Sequence, residues 1–217
     1  LKAEPGKKQA WASAIQKSLK RGKYIHSDLA GFDLSSIFMN AKDAAQLESA
    51  IMEFNMHTMN SGAETPRPFS FDIALEPCLS MESRENRRAC TFWQPQWWIA
   101  SLKHEEPLTI AKHAGELCRA MNKNDTEMYH VCVQGIGNRI SSVIDFDPSR
   151  TAEICEAIDP DPEARFVCHR STAFRFSRYF PLEKAATACD GLSQSESERC
   201  RTRLIEAKKY DDRAANF

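Results

Sequence analysis

The chain has 217 residues, and its 29 Lys and Arg nearly balance 30 Asp and Glu, leaving a net charge of −1. That balance gives no electrostatic case for nucleic acid or an anionic membrane as the main partner, and no apolar run approaches the roughly eighteen residues of a membrane span. Eight cysteines, an even number at regular spacing, point instead to disulfides and an oxidising compartment. Zinc is the competing use of cysteine, but it usually draws on CxxC pairs, and the chain has none. The length allows one or two domains and a sizeable core. The chain starts at Leu1 rather than Met, which fits a mature form or an ectodomain with a targeting segment or anchor upstream.

Residues 7–20 place Trp11, Ile15 and Leu19 four apart, with Ala14 on the same face, and Gly22 follows. This predicts a short amphipathic helix. Residues 22–46 divide into fives, GKYIH, SDLAG, FDLSS, IFMNA and KDAAQ, with Tyr24, Leu29, Leu34, Met39 and Ala44 central. Here the chain resembles the pentapeptide-repeat family, which implies a small square β-helical coil with the central residues pointing inward. Lys23, Phe32 and Phe38 stand where that family has small or acidic residues. The alternative is a loop followed by a short helix capped by Asp33. Residues 43–60 carry an apolar stripe of Ala44, Leu47, Ile51 and Phe54 and predict a helix. Met52, Met56, His57 and Met59 admit a copper site, against the use of Met at helical spacing as core filler. The predicted organisation is an N-terminal helical region at 1–60, a linker of Gly, Pro and polar residues at 61–69, and a cysteine-bearing region at 70–217.

The third region repeats one plan: a helix ending in Cys, a polar turn, and a second helix carrying Cys near its start. First cysteines fall at 78, 118, 155 and 189, so the steps are 40, 37 and 34 residues, in the range of helical-hairpin arrays. Ala74, Ala114, Ala152 and Ala185 precede them by three or four residues and permit close helix approach. Candidate N-caps are Ser83, Asn124 with Glu127, Asp161 before Pro162, and Ser195 with Glu198. The plan selects one pairing of the eight cysteines: Cys78–Cys90, Cys118–Cys132, Cys155–Cys168 and Cys189–Cys200. The predicted fold class is all-α, antiparallel hairpins in a short disulfide-stapled array. In plan this resembles the cysteine-rich, tetratricopeptide-like repeats of some secreted proteins, and the resemblance implies a binding role.

Candidate chemistry is spread along this region. "QGIGNRI" at 134–140 has two glycines of a nucleotide-binding loop, in a segment that reads as helix; the other use of Gly135 and Gly137 is close helix packing. His130, Cys132, Cys168 and His169 form a zinc set only if two hairpins meet. Glu76, Glu105, Glu106, Glu116, Asp145 and Asp147 offer carboxylates for hydrolysis, with no spacing that selects a pair. "CHRSTAFRFSRYF" at 168–180 interleaves Arg170, Arg175 and Arg178 with Phe174, Phe176, Tyr179 and Phe180. That mixture can bind single strands, but the overall charge balance favours a buried stripe of rings with Arg on its rim. Asn124-Asp125-Thr126 is a glycosylation sequon, meaningful only in a eukaryotic secretory route.

"FWQPQWW" at 92–98 is the most unusual stretch, with Phe92, Trp93, Trp97 and Trp98 around Pro95. Either Trp93 and Trp97 are core anchors under the linker and the N-terminal helices, or one face is exposed and binds a partner or a sugar. Pro95 is expected to interrupt the helix and so to leave at least one ring, Trp97 or Trp98, accessible. The functional expectation is an extracytoplasmic (secreted, periplasmic or anchored) binding or scaffold protein, with a protein or envelope component as partner and no cofactor. A hydrolase of cell-envelope glycans is the first alternative and a metal-binding protein the second.

Overall fold

A computed structural model describes residues 69–214. The segments read at 7–20, 22–46 and 43–60, and nearly all of the linker, lie outside the described residues. The described residues are all-α, with seven α-helices, four short 3-10 turns and no strand. The chain divides after Ser101 into two compact units.

Among the described residues of the first unit the one α-helix is α1 (Arg84–Ser101). Ser83 caps it, its Oγ accepting from the Asn86 N–H at 3.2 Å. The helix expected before Cys78 is absent: residues 71–77 form turns and only Cys78–Ser80 closes into a 3-10 turn. Pro77 has no N–H to give to a helix and disfavours helical backbone at Glu76. The staple survives this loss, joining Cys78 to Cys90 with Cα atoms 5.4 Å apart. Pro95 also behaves differently from expectation, lying inside α1 without ending it. An interior proline costs about 3 kcal/mol. Burial of a large apolar side chain returns about 1.5–3 kcal/mol, and Trp97, Trp98 and Ile99 are all buried around it.

The second unit holds three hairpins. The first pairs α2 (Pro107–Met121) with α3 (Thr126–Arg139), and the second pairs α4 (Thr151–Ile158) with α5 (Pro162–Phe176). In the third, α6 (Leu182–Ala186) runs into the 3-10 turn Thr187–Cys189 and meets α7 (Gln194–Ala214). Helix α2 packs on α4, and α4 on the Thr187–Cys189 turn; α3 packs on α5, and α5 on α7. First helices thus stack on first helices and second on second, in two layers.

At every staple the second cysteine is the seventh residue of its helix: Cys90 in α1, Cys132 in α3, Cys168 in α5 and Cys200 in α7. The residue before each helix is Ser83, Asp125, Asp161 or Ser193. Asp125 and Asp161 accept from the N–H three residues on, at 3.0 Å each. Ser193 donates both its hydroxyl (2.6 Å) and its N–H (3.3 Å) to the Glu196 carboxylate. The caps expected at Asn124 and Ser195 therefore fall at Asp125 and Ser193, while Ser83 and Asp161 are as expected. All four bridges of the repeat plan are present, the latter three with Cα separations of 5.7, 5.7 and 6.0 Å. No cysteine is left free.

Small residues set the spacing between hairpins. A Cβ on Gly115 of α2 would meet the Ile158 carbonyl oxygen of α4 at 2.2 Å. One on Gly137 of α3 would lie 2.7 Å from the Cys168 carbonyl oxygen of α5. Hydroxyls then tie the same two helices, Ser171 Oγ donating to the Gln134 carbonyl (2.5 Å) and Thr172 Oγ1 to that of Gly137 (3.1 Å). The segment read as a possible nucleotide loop is the packing face of α3.

Candidate functional site

Helix α5 carries Phe166, Arg170 and Phe174 four residues apart, with Arg178 the next in series just beyond its end. Residues spaced by four lie on one helical face, so rings and guanidiniums alternate along a ridge. Arg178 Cζ stands 5.0 Å from the Phe174 ring centroid, and Arg175 Cζ 5.1 Å from that of Tyr179. Lys184 Nζ lies 3.9 Å from the Phe180 ring. From α7, Arg199 Cζ reaches 3.6 Å from the Phe166 ring, which Arg170 also approaches at 5.8 Å. Each exposed cation–ring contact contributes about 0.5–1 kcal/mol. The larger effect is positional: the charged heads themselves lie over the rings and fix where the rings sit.

Tyr179 is 51 % exposed, while Phe176, three residues before it, is fully buried. The Phe146 ring meets Tyr179 edge-on at 5.1 Å. Phe146 and Asp145 have φ of 57° and 53°. That left-handed conformation is ordinary for Asp and unfavourable for Phe. The Phe146 N–H donates to the Ser141 carbonyl at 2.9 Å, and the ring contact holds the side chain toward the ridge. Strained backbone of this kind concentrates at sites of function. Asp147, next in the turn, has its carboxyl held below the usual carboxylate range by hydrogen bonds from the Ser149 hydroxyl and N–H, with Arg150 and Lys184 nearby.

A second polar cluster joins the first two hairpins of this unit. Arg119 donates to Asp159 at 2.9 Å and to the Ile158 carbonyl at 3.1 Å, and the Tyr129 hydroxyl also donates to Asp159. Partial burial works against the Asp159 carboxylate, but the bonds from Tyr129, the Asp161 N–H and Arg119 outweigh it and lower its pKa. Burial, followed by the bond to Asp159, raises the pKa of Tyr129 strongly. Every group here is satisfied within the cluster, so its work is to lock α2, α3 and the turn after α4.

The Trp stretch is not the exposed surface anticipated for it. Trp97 and Trp98 are fully buried and Trp93 is 8 % exposed; Phe92 is half-buried against the Trp93 ring. The reason is the uninterrupted α1. Its Trp98 Nε1 donates to the Ala74 carbonyl at 2.6 Å, and Gln94 Nε2 bonds the Ala74 and Glu76 carbonyls at 3.0 and 2.8 Å. These bonds draw the 70–77 segment over the rings, and Phe69 adds an edge-on contact with Trp97 at 5.5 Å.

The zinc set is removed by the staples, because Cys132 is bonded to Cys118 and Cys168 to Cys155. No group of three His, Cys, Asp or Glu among the described residues is placed to hold a metal ion. Met52, Met56, His57 and Met59 lie outside those residues. Three of the carboxylates considered for hydrolysis are engaged locally. Glu76 accepts from Ser80 (2.6 Å), Glu105 pairs with His113 (3.1 Å), and Asp147 caps Pro148–Arg150. Glu106 is the residue preceding α2, and Glu116 and Asp145 are exposed. Phe146, Lys184 and Arg199 complete the ridge from three other segments; only their position in space could reveal them. Comparison with family models, curated proteins and solved structures finds no match for this chain.

Proposed function

We propose that the protein binds or scaffolds a protein or envelope component outside the cytoplasm, as a secreted, periplasmic or anchored molecule. Four intrachain disulfides support the oxidising compartment. No described helix is long and apolar enough to cross a membrane. The observation that carries the binding role is the exposed Tyr179, with the half-buried rings of Phe146, Phe174 and Phe180 and the cations Arg175, Arg178 and Lys184 around it. Tyr and Arg are the side chains most often found where binding energy concentrates. The stacked-hairpin plan, like the cysteine-rich tetratricopeptide-like repeats it resembles, offers such a ridge on a rigid support. The test is affinity capture from a native envelope or secreted extract, comparing wild type with the double variant Tyr179→Ala, Arg178→Ala. The expected result is loss of a specific partner with the melting temperature nearly unchanged. Undiminished capture by the folded double variant overturns the reading.

A further inference from the structure

At the α5–α7 seam two guanidiniums approach one ring, and a third arginine follows on α7. Arg199 covers the buried Phe166 ring, Arg170 flanks the same ring, and Arg203 lies four residues beyond Arg199 on α7. Arg199 and Arg203 each have a carboxylate, Glu163 at 3.4 Å and Glu206 at 3.2 Å, but both pairs are half or more exposed and so weak. Arg170 has no ion pair among the described residues, and its α5 neighbours at 166, 167, 173 and 174 are Phe, Val, Ala and Phe. Arg170 is nonetheless half-buried. Burial is the largest influence lowering its pKa; Arg203 and Arg199 lower it further, and only Glu163 opposes them. A desolvated, uncompensated cation among like charges is a cost to folding that an arriving anion removes.

We propose that this seam receives an acidic segment of a protein partner, with Arg170 as the central anchor and carboxylates of the segment alternating with apolar side chains. The inference rests on the binding role and names its chemistry. A planar guanidinium takes a carboxylate through two parallel hydrogen bonds. The pairing of Arg170 and the exposed Arg203 with the half-buried Phe174, four residues along α5 from Arg170, matches an alternating acidic and apolar segment. It does not match a uniform polyanion, which would also meet Glu163 and Glu206.

The test is fluorescence anisotropy on the full chain, with a short labelled peptide in which Glu alternates with Leu and Ser, and its Gln counterpart as control. The expected result is binding of the Glu peptide alone, weakening between about 0.05 M and about 0.5 M salt as the screening length shortens. Arg170→Gln should weaken it about tenfold, as loss of a charged hydrogen bond does. Arg170→Lys, which keeps charge and loses the fork, should fall between. Arg203→Gln provides a second, exposed position should Arg170→Gln fold poorly, and should also weaken binding. Absence of Glu-peptide binding, or binding indifferent to both Arg170 and Arg203, overturns the proposal. So does tighter binding of a sulfated oligosaccharide through the same arginines, since the occupant would then be a glycan. None of these outcomes touches capture through Tyr179 and Arg178, so failure here and failure of the binding role remain distinguishable.

Discussion

The aromatic stretch Phe92–Trp98 of α1 and the stretch Phe174–Phe180 at the end of α5 both follow the second cysteine of a stapled hairpin. Eight residues past that cysteine, Trp98 and Phe176 are both fully buried, as is Ile140 at the end of α3. Four residues past it, Gln94, Ile136, Thr172 and Leu204 are all 1 % exposed or less. The cysteine thus sets a common register for all four stapled helices. The stretches differ at the preceding position: Trp97, seven past its cysteine, is fully buried, whereas Arg175 at the same offset lies across the Tyr179 ring. Aromatic density alone therefore does not mark a surface. In α1 the residues between the rings are glutamines, and Gln94 bonds backbone and helps close the unit. In α5 they are arginines, whose charged heads must stay wet and hold the neighbouring rings at the rim.

Reducing the four bridges is expected to have the largest effect on this comparison, because both stretches hang from a staple. A native bridge in a small domain contributes about 2–5 kcal/mol, so calorimetry should show the reduced protein melting far below the oxidised one. A difference of only a degree or two would mean that helix packing sets the register without help. Next in size is Trp98→Ala, which removes a fully buried ring and the Ala74 bond and should cost about 3–5 kcal/mol. A near-neutral result in denaturant titration would move Trp98 out of the core.

A smaller effect concerns acid. His169 is fully buried beside the Cys168 staple; its Nδ1 meets the Ala188 carbonyl at 2.5 Å, so that nitrogen carries the proton. Its Nε2 is buried with no hydrogen-bond partner. Burial, chiefly, and then the nearby Arg165 lower its pKa, against the opposing pull of the Ala188 carbonyl, Glu196 and Asp190. The unfolded chain therefore takes up this proton first as pH falls. Stability is full above about pH 6.5, the unfolded value, and declines below it toward the lower folded value. Melting temperatures between about pH 7 and about pH 5 should fall for wild type and flatten for His169→Gln. Parallel slopes would assign the acid response to other groups.

Much of the architecture was legible because cysteines at hairpin spacing leave few alternatives. The four pairs, the all-α class and the close packing at Gly137 follow from spacing and residue size. Two caps fall one or two residues away from where local motifs put them, although the chain carries their register: Ser83, Asp125, Asp161 and Ser193 all lie seven residues before a second cysteine. Pro95 misled because local propensity counts a missing N–H and a clash but not the burial that offsets them. Pro77 misled in the opposite sense, removing a helix that the repeat plan required. The ridge was only half legible. Its Arg and ring residues at 170–180 were visible, whereas Phe146, Arg199 and Lys184 come from other segments, and no periodicity on α5 reports them.

The contrast between the two stretches is tested most directly by partner capture with Tyr179→Ala and Trp98→Phe side by side, each at a temperature well below its own melting point. Trp98→Phe keeps a large buried ring and should retain full capture despite lower stability. Tyr179→Ala alters a half-exposed ring, so its melting temperature should stay nearly unchanged while capture falls about tenfold, as at an interface anchor. Full capture by Tyr179→Ala, with capture lost in folded Trp98→Phe, would contradict the account and return the binding surface to α1.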